Sequence, residues 1–326
     1  MRIAVTGSIA TDHLMAYPGR FAEQLIADQL EQVSLSFLVD DLQVRRGGIA
    51  ANITFGLGQL GVTSTLVGSV GQDFDEYRAW LERHGVDTAS VRVSDTKHTA
   101  RFLCTTDQDL NQIASFYAGA MAEAGEIELK PIADRLGGLD IVVISPNDPA
   151  AMINHSEECR ERGYKFVADP GQQLARMTGD SAGIRKLVEG AEYLFTNEYE
   201  HSLLLQNTGW SHDEVLDRVG LWLTSLGPKG VKIESKSAPT IEVAPPQETR
   251  KGDPTGVGDA LRAGFLAGLA GELSLERSVQ LGCTLATVSL ETDGPQEYTV
   301  ERSGFVERFA GAYGEEAAAE VRSLLS

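Results

Sequence analysis

Cysteine is scarce in this sequence, and the few cysteines lie far apart. Cys104, Cys159 and Cys283 are the three cysteines among 326 residues, and no two of them form a C-x-x-C pair. An odd number of widely spaced cysteines is typical of free thiols in a reducing compartment, because a disulfide framework needs cysteines in pairs. The pattern argues against a disulfide-stabilised secreted domain and predicts a cytoplasmic protein.

Basic residues, long apolar runs and metal-ligand spacings are also lacking. Lys and Arg number 28 against 47 Asp and Glu, so the formal net charge is −19. Such an acidic chain disfavours nucleic acid and anionic membranes as partners. No apolar run is long enough to span a bilayer, and the N-terminal run is too short for a signal peptide. The six histidines show no spacing typical of zinc ligands. We therefore expect no nucleic-acid partner, no membrane partner and no zinc.

Two common nucleotide-binding motifs are absent as well. No glycine-rich turn ends in G-K-S or G-K-T, which argues against a Walker A loop. The turn "GVGDALRAG" has Leu261 where a G-x-G-x-x-G motif would place its third glycine. A P-loop nucleoside triphosphatase and a nicotinamide-dependent dehydrogenase are therefore poorly supported.

The sequence does contain a regular alternation of short apolar runs and amphipathic segments. The runs "RIAV", "DIVVIS", "KFVADP" and "EYLFTN" are typical of strands buried on both faces of a parallel sheet. Asp148 before Pro149 predicts a helix start, and Ser211 with Glu214 matches a capping box. Strands that alternate with helices predict an α/β fold with a three-layer core and a mainly parallel central sheet.

Two segments, residues 13–46 and 95–120, depart from this alternation. Both resemble antiparallel strand pairs, and in the second pair Phe102 and Phe116 flank a polar turn. We predict that these two segments form a small β-sheet lid. Residues 1–12, 47–94 and 121–326 are then predicted to form the α/β core.

The stretch "DPTGVGDALRAG" joins a glycine-rich turn directly to an apolar helical pattern. Gly256, Val257 and Gly258 lie where the N–H groups of a helix N-terminus, aided by the helix dipole, bind an anion such as phosphate. Asp259 follows at once. A carboxylate beside an anion hole suits phosphoryl transfer, because it accepts the proton of the attacking hydroxyl. We expect the helix dipole to keep the pKa of Asp259 low.

This turn resembles the D-T-x-G-A-G-D signature of the ribokinase-like (PfkB) kinases, and three further matches follow that family's order. Gly47-Gly48 with Asn52 is similar to the N-terminal G-G-x-x-x-N signature. The stretch "NEYE" (197–200) matches N-x-x-E, and "SLGPKG" (225–230) is similar to T-x-G-x-x-G. Four signatures spread in order along the chain imply a ribokinase-like fold and an ATP-dependent kinase with a nucleotide- and substrate-binding core.

Within that family, the chain resembles the actinobacterial adenosine kinases over almost its whole length, in stretches such as "AVTGSIATDHL", "SLSFLVDDL" and "AGAYGE". The resemblance implies transfer of the ATP γ-phosphoryl group to the 5′-hydroxyl of adenosine to give AMP, with Mg²⁺ accompanying ATP. It also implies a homodimer formed through the lid. K⁺ is a further cofactor that the family allows, although Pro254 stands where the signature has Thr, near the family's monovalent-cation site.

The resemblance assigns roles to residues by their position in these motifs. Asp259 is the implied catalytic base, and the implied anion hole consists of Gly256, Val257 and Gly258. The implied adenosine-binding residues are Ser8, Asp12, Ser36, Phe37, Gly48, Asn52, Phe102, Phe116, Gln172, Gln173 and Arg176. The implied nucleotide-binding residues are Asn197, Ser225, Gly227 and Gly230, and Glu200 holds Mg²⁺ through water.

Some of these roles have a chemical reason beside the resemblance. The carboxylate of Asp12 suits ribose hydroxyls as an acceptor of two hydrogen bonds. Phe102 and Phe116 suit stacking on adenine, which is worth about 1–3 kcal/mol per base. Arg176 is placed to offset phosphate charge. Phe37 and Ser36 are implied to reach from the lid into the site of a partner subunit.

Two alternative functions stay open on the sequence alone. A ribokinase- or fructokinase-like sugar kinase would use the same glycines and the same Asp259, and Phe102 and Phe116 would then only pack within the lid. A non-catalytic family member that binds nucleosides would not need Asp259. The two phenylalanines favour a purine nucleoside over a free sugar, and the intact turn favours an active kinase.

Overall fold

The computed structural model describes residues 1–24 and 35–325. Its strands are β1 (Ile3–Thr6), β2 (Ala10–Ala16), β3 (Asp41–Gly47), β4 (Ser64–Val67), β5 (Ser69–Val70), β6 (Val86–Asp87), β7 (Arg92–Val93), β8 (Ala100–Thr106), β9 (Gln112–Tyr117), β10 (Ile141–Ile144), β11 (Phe166–Ala168), β12 (Tyr193–Asn197), β13 (Leu221–Ser225), β14 (Val231–Glu234) and β15 (Ile241–Val243).

The helices are α1 (Phe21–Gln24), α2 (Ile49–Gln59), α3 (Asp75–Arg83), α4 (Leu129–Leu136), α5 (Pro149–Arg162), α6 (Gln173–Arg176), α7 (Ser181–Val188), α8 (Glu198–Thr208), α9 (His212–Leu216), α10 (Val257–Ala270), α11 (Leu275–Leu290), α12 (Arg302–Tyr313) and α13 (Glu315–Leu324). Short 3-10 helices cover Gln72–Phe74, Gly119–Glu126 and Gly227–Lys229. Across residues 1–24 and 35–325, no helix combines the length and the apolar character that a bilayer crossing requires.

The central sheet has the strand order β15-β14-β13-β12-β11-β10-β1-β4-β6. Along this order, every pair of neighbouring strands between β13 and β6 is parallel. The β13–β14 and β14–β15 pairs are antiparallel. The strands predicted from "RIAV", "DIVVIS", "KFVADP" and "EYLFTN" are confirmed as β1, β10, β11 and β12. Because parallel strands end on one edge of a sheet, the loops that follow these strands open on the same side of the molecule.

Helices cover both faces of this sheet. Alternate residues of β1 point to opposite faces, as the strand period of two requires. Ile3 and Val5 join one apolar cluster with α2, α10 and α11, while Ala4 joins a second cluster with α5 and α7. The predicted three-layer α/β core is therefore confirmed.

The small sheet, defined here as β2, β3, β8 and β9, has the strand order β3-β2-β8-β9. β2 with β3 and β8 with β9 form the two predicted antiparallel pairs. β2 and β8 pair in parallel and join the two pairs into one sheet, which was not predicted. The predicted boundary at residue 13 falls inside β2, which begins at Ala10. Residues 25–34 of the predicted lid lie outside the described residues, and the division into domains stays a prediction.

The two helix starts predicted from the sequence are also confirmed. The Asp148 side chain accepts hydrogen bonds from the N–H groups of Ala150 and Ala151 at the start of α5. Ser211 and Glu214 form the predicted capping box of α9. These contacts satisfy N–H groups that a helix start would otherwise leave unpaired.

Helices α10 and α11 cross at two glycines. A Cβ on Gly264 would lie 2.6 Å from the Cα of Gly282, and a Cβ on Gly282 would lie 2.5 Å from the carbonyl oxygen of Leu261. A side chain at either position would therefore overlap the backbone of the other helix. This close approach seats α10, the helix that follows the glycine-rich turn, against the core.

Gly264→Ala should destabilise the protein by about 1–3 kcal/mol, because the added methyl group must push the two helices apart. Gly311→Ala in α12 is the matched control, since no atom lies within 4 Å of a Cβ placed there. Alanine should be neutral at that helical position or should stabilise by about 0.5–1 kcal/mol. Thermal unfolding followed by circular dichroism should show a lower midpoint for Gly264→Ala alone, and equal midpoints for both variants would contradict this account.

Candidate active site

The N-terminus of α10 is built on a residue that must be glycine. Gly256 caps the helix with a left-handed backbone (φ 83°), and a Cβ there would lie 2.5 Å from the Cβ of Pro295. A helix leaves the N–H groups of its first turn without intrahelical acceptors. Val257 donates its N–H to the carbonyl of Pro254 at 3.3 Å. The turn therefore offers the N–H groups of Gly256 and Gly258 to an anion more readily than that of Val257.

Asp259 lies in the first turn of α10, and the residue is partly buried. Oδ2 of Asp259 accepts a hydrogen bond of 2.8 Å from Nδ2 of Asn52. Burial raises the pKa of Asp259 to about 7, against the opposing effects of the Arg262 charge and the Asn52 hydrogen bond, while the Asp169 charge raises the pKa further. The expectation of a low pKa was wrong, because desolvation outweighs the helix dipole at this position.

Arg262 and Asp169 form a buried ion pair below Asp259, and neither was singled out from the sequence. The Arg262 side chain is 12% exposed and the Asp169 side chain is 1% exposed. Nη2 of Arg262 donates to Oδ1 of Asp169 at 2.7 Å, and Nη1 donates to the carbonyl of Gly258 at 2.9 Å. The Arg262 guanidinium therefore binds the carbonyl of Gly258 in the turn and supplies a positive charge near Asp259.

A cavity of about 330 Å³, here called cavity A, opens beside this carboxylate. Gly256 and Asp259 line it, together with Ala10, Ile49, Met121, Pro146 and Thr255. The structure brings nine of the predicted substrate-binding residues to the same cavity: Ser8, Asp12, Gly48, Asn52, Phe102, Phe116, Gln172, Gln173 and Arg176. Residues from the loop after β1, the small sheet and the loops after β10 and β11 thus meet at one point.

The small sheet contributes a wall with aromatic and charged side chains. Phe102 on β8 is paired with Asp12 on β2 and with Phe116 on β9, so the three side chains share one face of the sheet. Burial raises the pKa of Asp12 to about 6, although the nearby charge of Arg45 lowers it. The guanidinium of Arg176 lies over the ring of Phe116, 5.5 Å from its centroid. Arg176 therefore packs against the aromatic wall, and Arg262 is the cation next to the turn.

Gln173 presents an unused hydrogen-bond acceptor at this cavity. The residue is 3% exposed, and its Nε2 donates to the carbonyl of Asn147 at 2.7 Å. This bond fixes the orientation of the amide, and the buried Oε1 has no hydrogen-bond partner among the described residues. A buried acceptor without a partner costs free energy until a donor reaches it. A bound molecule with an N–H or O–H group can supply that donor.

A second cavity of about 380 Å³, here called cavity B, lies on the other side of the turn. The predicted nucleotide-binding residues Ser225, Gly227 and Gly230 line it, and so do Val257 and Gly258. Its other lining residues include Pro228, Val231, Pro245, Pro246, Leu261, Ala286 and Leu290. Such apolar surfaces suit the flat face of a base. The N-terminus of α10 therefore borders both cavities.

Asn197 and Glu200 line neither cavity and form a capping box instead. The Asn197 side chain accepts from the N–H of Glu200, and Oε2 of Glu200 accepts from the N–H of Asn197, each at 2.8 Å. Asn197 is paired with Ser225 in the sheet, so it lies next to cavity B. Burial raises the pKa of Glu200, and the Asp169 charge raises it further. The nucleotide contact predicted for Asn197 stays a prediction, while Glu200 lies near the Asp169–Arg262 pair.

Ser36 and Phe37 also lie away from cavity A of their own chain. The Phe37 ring packs against Tyr17 and Phe21, with 5.0 Å between ring centroids in each pair. This contact fills a small aromatic cluster at the end of the small sheet. The predicted reach of Ser36 and Phe37 into a partner's site stays a prediction.

Asp259→Asn should make the thermal stability less dependent on pH. The pKa of Asp259 is about 7 in the folded protein and about 4 in an unfolded chain. Between these values the folded state binds more protons than the unfolded state, so stability falls as the pH rises through this window. The variant lacks this loss, and its melting temperature should exceed that of the original protein by more at pH 8 than at pH 5.

Asp140→Asn is a control of opposite sign for that experiment. Hydrogen bonds from Arg2 lower the pKa of Asp140 to about 2, so its ionised form stabilises the folded state above the unfolded pKa. Its replacement should lower the melting temperature at pH 8, by a small amount because the group is solvent-accessible. An Asp259→Asn difference that does not change between pH 5 and pH 8 would show that Asp259 titrates normally.

Comparison with known proteins agrees with this arrangement. The model of the pfkB family carbohydrate kinases matches residues 6–302. A nucleoside kinase of Methanocaldococcus jannaschii is 30% identical over 255 residues, which cover 77% of this chain and 80% of the relative. A second nucleoside kinase, of Methanothermobacter thermautotrophicus, is 27% identical over 292 residues, which cover 89% of this chain and 92% of the relative.

Solved structures show the same fold. The nucleoside kinase of Burkholderia thailandensis in complex with inosine superposes with a TM-score of 0.81 at 32% identity, and covers 96% of this chain and 98% of its own. The M. jannaschii nucleoside kinase, described as an archaeal member of the ribokinase family, gives a TM-score of 0.80 at 26% identity, with 95% and 99% covered. The architecture is the ribokinase-like α/β fold, and the chain belongs to the pfkB family of carbohydrate kinases.

Proposed function

We propose that this protein is an adenosine kinase, which transfers the γ-phosphoryl group of ATP to the 5′-hydroxyl of adenosine. The position of the α10 N-terminus carries the proposal. Gly256 and Asp259 line cavity A, whereas Val257 and Gly258 line cavity B. An acceptor in cavity A and a donor in cavity B would bring their reacting atoms to one helix end that stabilises an anion.

Asp259 acts in this proposal as the general base. The 5′-oxygen attacks the γ-phosphorus, its proton passes to the Asp259 carboxylate, and the bond between the γ-phosphorus and the bridging oxygen breaks to release ADP. A pKa of about 7 suits this role, because a base is most effective when its pKa lies near the working pH. The N–H groups of Gly256 and Gly258 bind the transferring group, as anion-hole donors do.

The lining of cavity A supports a nucleoside rather than a free sugar. Phe102 and Phe116 share the face of the small sheet that carries Asp12. This arrangement places two aromatic rings, on which a base can stack, beside the Asp12 carboxylate, which can accept hydrogen bonds from ribose hydroxyls. The unpaired Oε1 of Gln173 would accept a hydrogen bond from the exocyclic amine of adenine. A free sugar has no flat aromatic face to stack on these rings.

Inosine is a second candidate acceptor, because the B. thailandensis nucleoside kinase, 32% identical, was solved with inosine. The N1–H group of inosine is a donor on the same edge of the purine, so Gln173 suits it as well. A ribokinase- or fructokinase-like sugar kinase and a non-catalytic nucleoside-binding protein have less support. The relatives named nucleoside kinases favour a nucleoside as the acceptor.

Mg²⁺ with ATP is the proposed cofactor. Glu200 uses Oε2 to accept the N–H of Asn197, which leaves its other carboxylate oxygen available. Mg²⁺ keeps several waters and binds mainly to phosphates, so a single nearby carboxylate fits a water-mediated contact. When bound, Mg²⁺ would neutralise charge on the phosphates.

Activation by K⁺ stays a prediction, as does the cytoplasmic location. Oδ2 of Asp253 is paired with Nη1 of Arg45 at 3.0 Å, and Oδ1 accepts the N–H of Thr255 at 2.9 Å. The carboxylate that precedes Pro254 is thus already compensated by a cation of the chain. Cys104, Cys159 and Cys283 are free and buried.

We also propose that the small sheet is a lid that forms a homodimer. Its face opposite Asp12 carries Leu42, Val44, Ile113 and Tyr117, which are 54%, 58%, 45% and 43% exposed. Several large apolar side chains on one exposed sheet face are typical of a surface that another chain covers. A lid over cavity A would also exclude water from the transferring phosphoryl group.

The purified protein with ATP and Mg²⁺ should phosphorylate adenosine, and Asp259→Asn should lower kcat by about 10²–10⁴-fold, because the general base is lost. Adenosine binding by the variant should stay within about threefold, since Asp259 acts mainly in the transition state. In the original protein, kcat/KM should fall as the pH drops below the Asp259 pKa of about 7. Isothermal titration and a coupled ADP assay measure these quantities.

A panel of acceptors completes this test. Purine riboside lacks both the amine of adenosine and the N1–H of inosine, and its kcat/KM should be about tenfold lower because Gln173 then finds no donor. A strong preference for ribose or fructose would contradict the nucleoside assignment. A higher kcat/KM with inosine than with adenosine would identify inosine as the preferred acceptor. Unchanged turnover in Asp259→Asn would show that Asp259 is not the general base.

Val44→Glu should weaken the proposed homodimer, because it places a charge on the exposed apolar face of the small sheet. Sedimentation velocity should show twice the chain mass of 35.1 kDa for the original protein and a shift toward the single chain for the variant. Val93→Glu on β7, outside the small sheet and 43% exposed, is the matched control. A single-chain mass for the original protein would contradict the dimer.

A further inference from the structure

A line of hydrogen-bonded side chains leads from Asp259 into the protein. Nδ2 of Asn52 donates to Asp259 at 2.8 Å, and Oδ1 of Asn52 accepts from Nε2 of Gln296 at 2.9 Å. Oε1 of Gln296 accepts from the indole N–H of Trp80 at 3.2 Å. Nε2 of Gln296 also donates to the Tyr77 hydroxyl at 2.5 Å. Asn52, Tyr77 and Gln296 are only 5%, 5% and 1% exposed, so these bonds are made away from bulk water.

The donors and acceptors of these groups allow only one orientation for the side-chain amides of Gln296 and Asn52. An indole N–H can only donate, so Trp80 requires the carbonyl oxygen of Gln296 on its side. The amide nitrogen of Gln296 must then face Asn52, whose carbonyl oxygen accepts from it. As a result, Asn52 must turn its own amide nitrogen toward Asp259. A reversed Asn52 amide would instead place a carbonyl oxygen against the carboxylate of Asp259.

We propose that Gln296 is a positioning residue for Asp259, acting through Asn52 to keep an N–H donor on the carboxylate. The proposal rests on the role of Asp259 as general base in the proposed function. A donor favours the ionised carboxylate, which is the form that accepts a proton, whereas a facing carbonyl oxygen favours the protonated form. Gln296 lines neither cavity A nor cavity B, and its hydrogen-bonded route to Asp259 runs through Asn52.

The line also joins Asp259 to the small sheet. The Tyr77 hydroxyl accepts from Gln296 and donates to the carbonyl of Gly47 at 2.8 Å. Gly47 is the last residue of β3. The end of a small-sheet strand and the candidate base are therefore held by one set of buried polar contacts.

Other charged groups near Asp259 act on its titration, and they must stay constant in any test. The charges of Arg262 and Asp169 have opposite effects on its pKa. Burial raises the pKa of Tyr298 and of Tyr77. The charge of Asp259 raises both further, and Asp12 also raises that of Tyr77. Gln296 is neutral, so its replacement by another neutral residue changes the hydrogen bonds without changing this set of charges.

Gln296→Met and Gln296→Glu test the proposal in complementary ways. Methionine removes the donor, frees Asn52 to turn and leaves the charges near Asp259 unchanged, so this variant carries the test. An ionised glutamate offers acceptors only and requires Asn52 to reverse, but it also adds a negative charge that raises the pKa of Asp259. The acid limb of kcat/KM should move to higher pH in both variants, and further in Gln296→Glu. A limb that lies one pH unit higher corresponds to a rate about tenfold lower on its acid side. The KM for the nucleoside at pH 9 should stay within about threefold in Gln296→Met, because none of the residues that line cavity A is replaced.

Gln280→Met is the matched control, since Gln280 is a glutamine in α11 that is 7% exposed and hydrogen-bonds to Arg277 and Glu276. Its acid limb should not move. An unmoved limb in Gln296→Met would overturn the proposal. An equal shift in Gln280→Met would also overturn it, because the effect would then be a general loosening of the core.

A second readout separates this proposal from the proposed function. In both the original protein and Gln296→Met, the change in melting temperature caused by adding Asp259→Asn reports the ionisation of Asp259. This measurement needs no enzyme activity. In the Gln296→Met background this difference should develop at higher pH than in the original protein. If the original protein phosphorylates no nucleoside, the proposed function fails, and this measurement still decides whether Gln296 controls Asp259. An identical pH dependence in both backgrounds would overturn the role of Gln296.

Discussion

A partly buried carboxylate at the start of α10 is the constraint on which the rest of the site depends. Removing water from Asp259 costs free energy unless other groups compensate its charge. Asn52 supplies a hydrogen bond of 2.8 Å, and Arg262 supplies a positive charge that is itself balanced by Asp169. The central sheet, the loop after β11 and helix α2 must all be in place before this balance exists. The fold and the chemistry of the site are therefore set by the same contacts.

The sheet topology explains why two cavities meet at one helix end. β1, β10, β11, β12 and β13 run in parallel, so the loops after them open on one edge of the sheet. The glycine contact between α10 and α11 seats the N-terminus of α10 at that edge. Cavity A takes its walls from the early strands and the small sheet, and cavity B from β13 and the β14–β15 hairpin. A fixed helix end between them needs no large rearrangement to serve both.

The sequence predicts what depends on neighbouring residues and misses what depends on distant ones. The four strands named from the sequence, the Ser211–Glu214 capping box and the glycine turn are local patterns, and each appears where the sequence places it. The Arg262–Asp169 pair spans 93 positions, the Asn52–Asp259 bond spans 207, and the Gln296–Asn52 bond spans 244. No local spacing encodes such contacts, because the topology alone brings these residues together. The roles assigned to Ser8, Asp12, Phe102 and Gln173 came from the family resemblance, and the structure brings these residues to one cavity.

The pKa of Asp259 shows why a local rule fails at this site. A helix dipole stabilises a first-turn carboxylate by about 0.3–1 kcal/mol, which lowers a pKa by less than one, since a change of one in pKa corresponds to about 1.4 kcal/mol. Burial raises the pKa of a carboxyl group by up to about 3–5. Burial therefore prevails, and the value of about 7 follows although Arg262 and Asn52 oppose it. A carboxyl group with this pKa stays partly protonated at neutral pH. If Asp259 is the general base, as proposed, the contacts that favour its ionised form, such as the Asn52 donor, determine the fraction of molecules able to react.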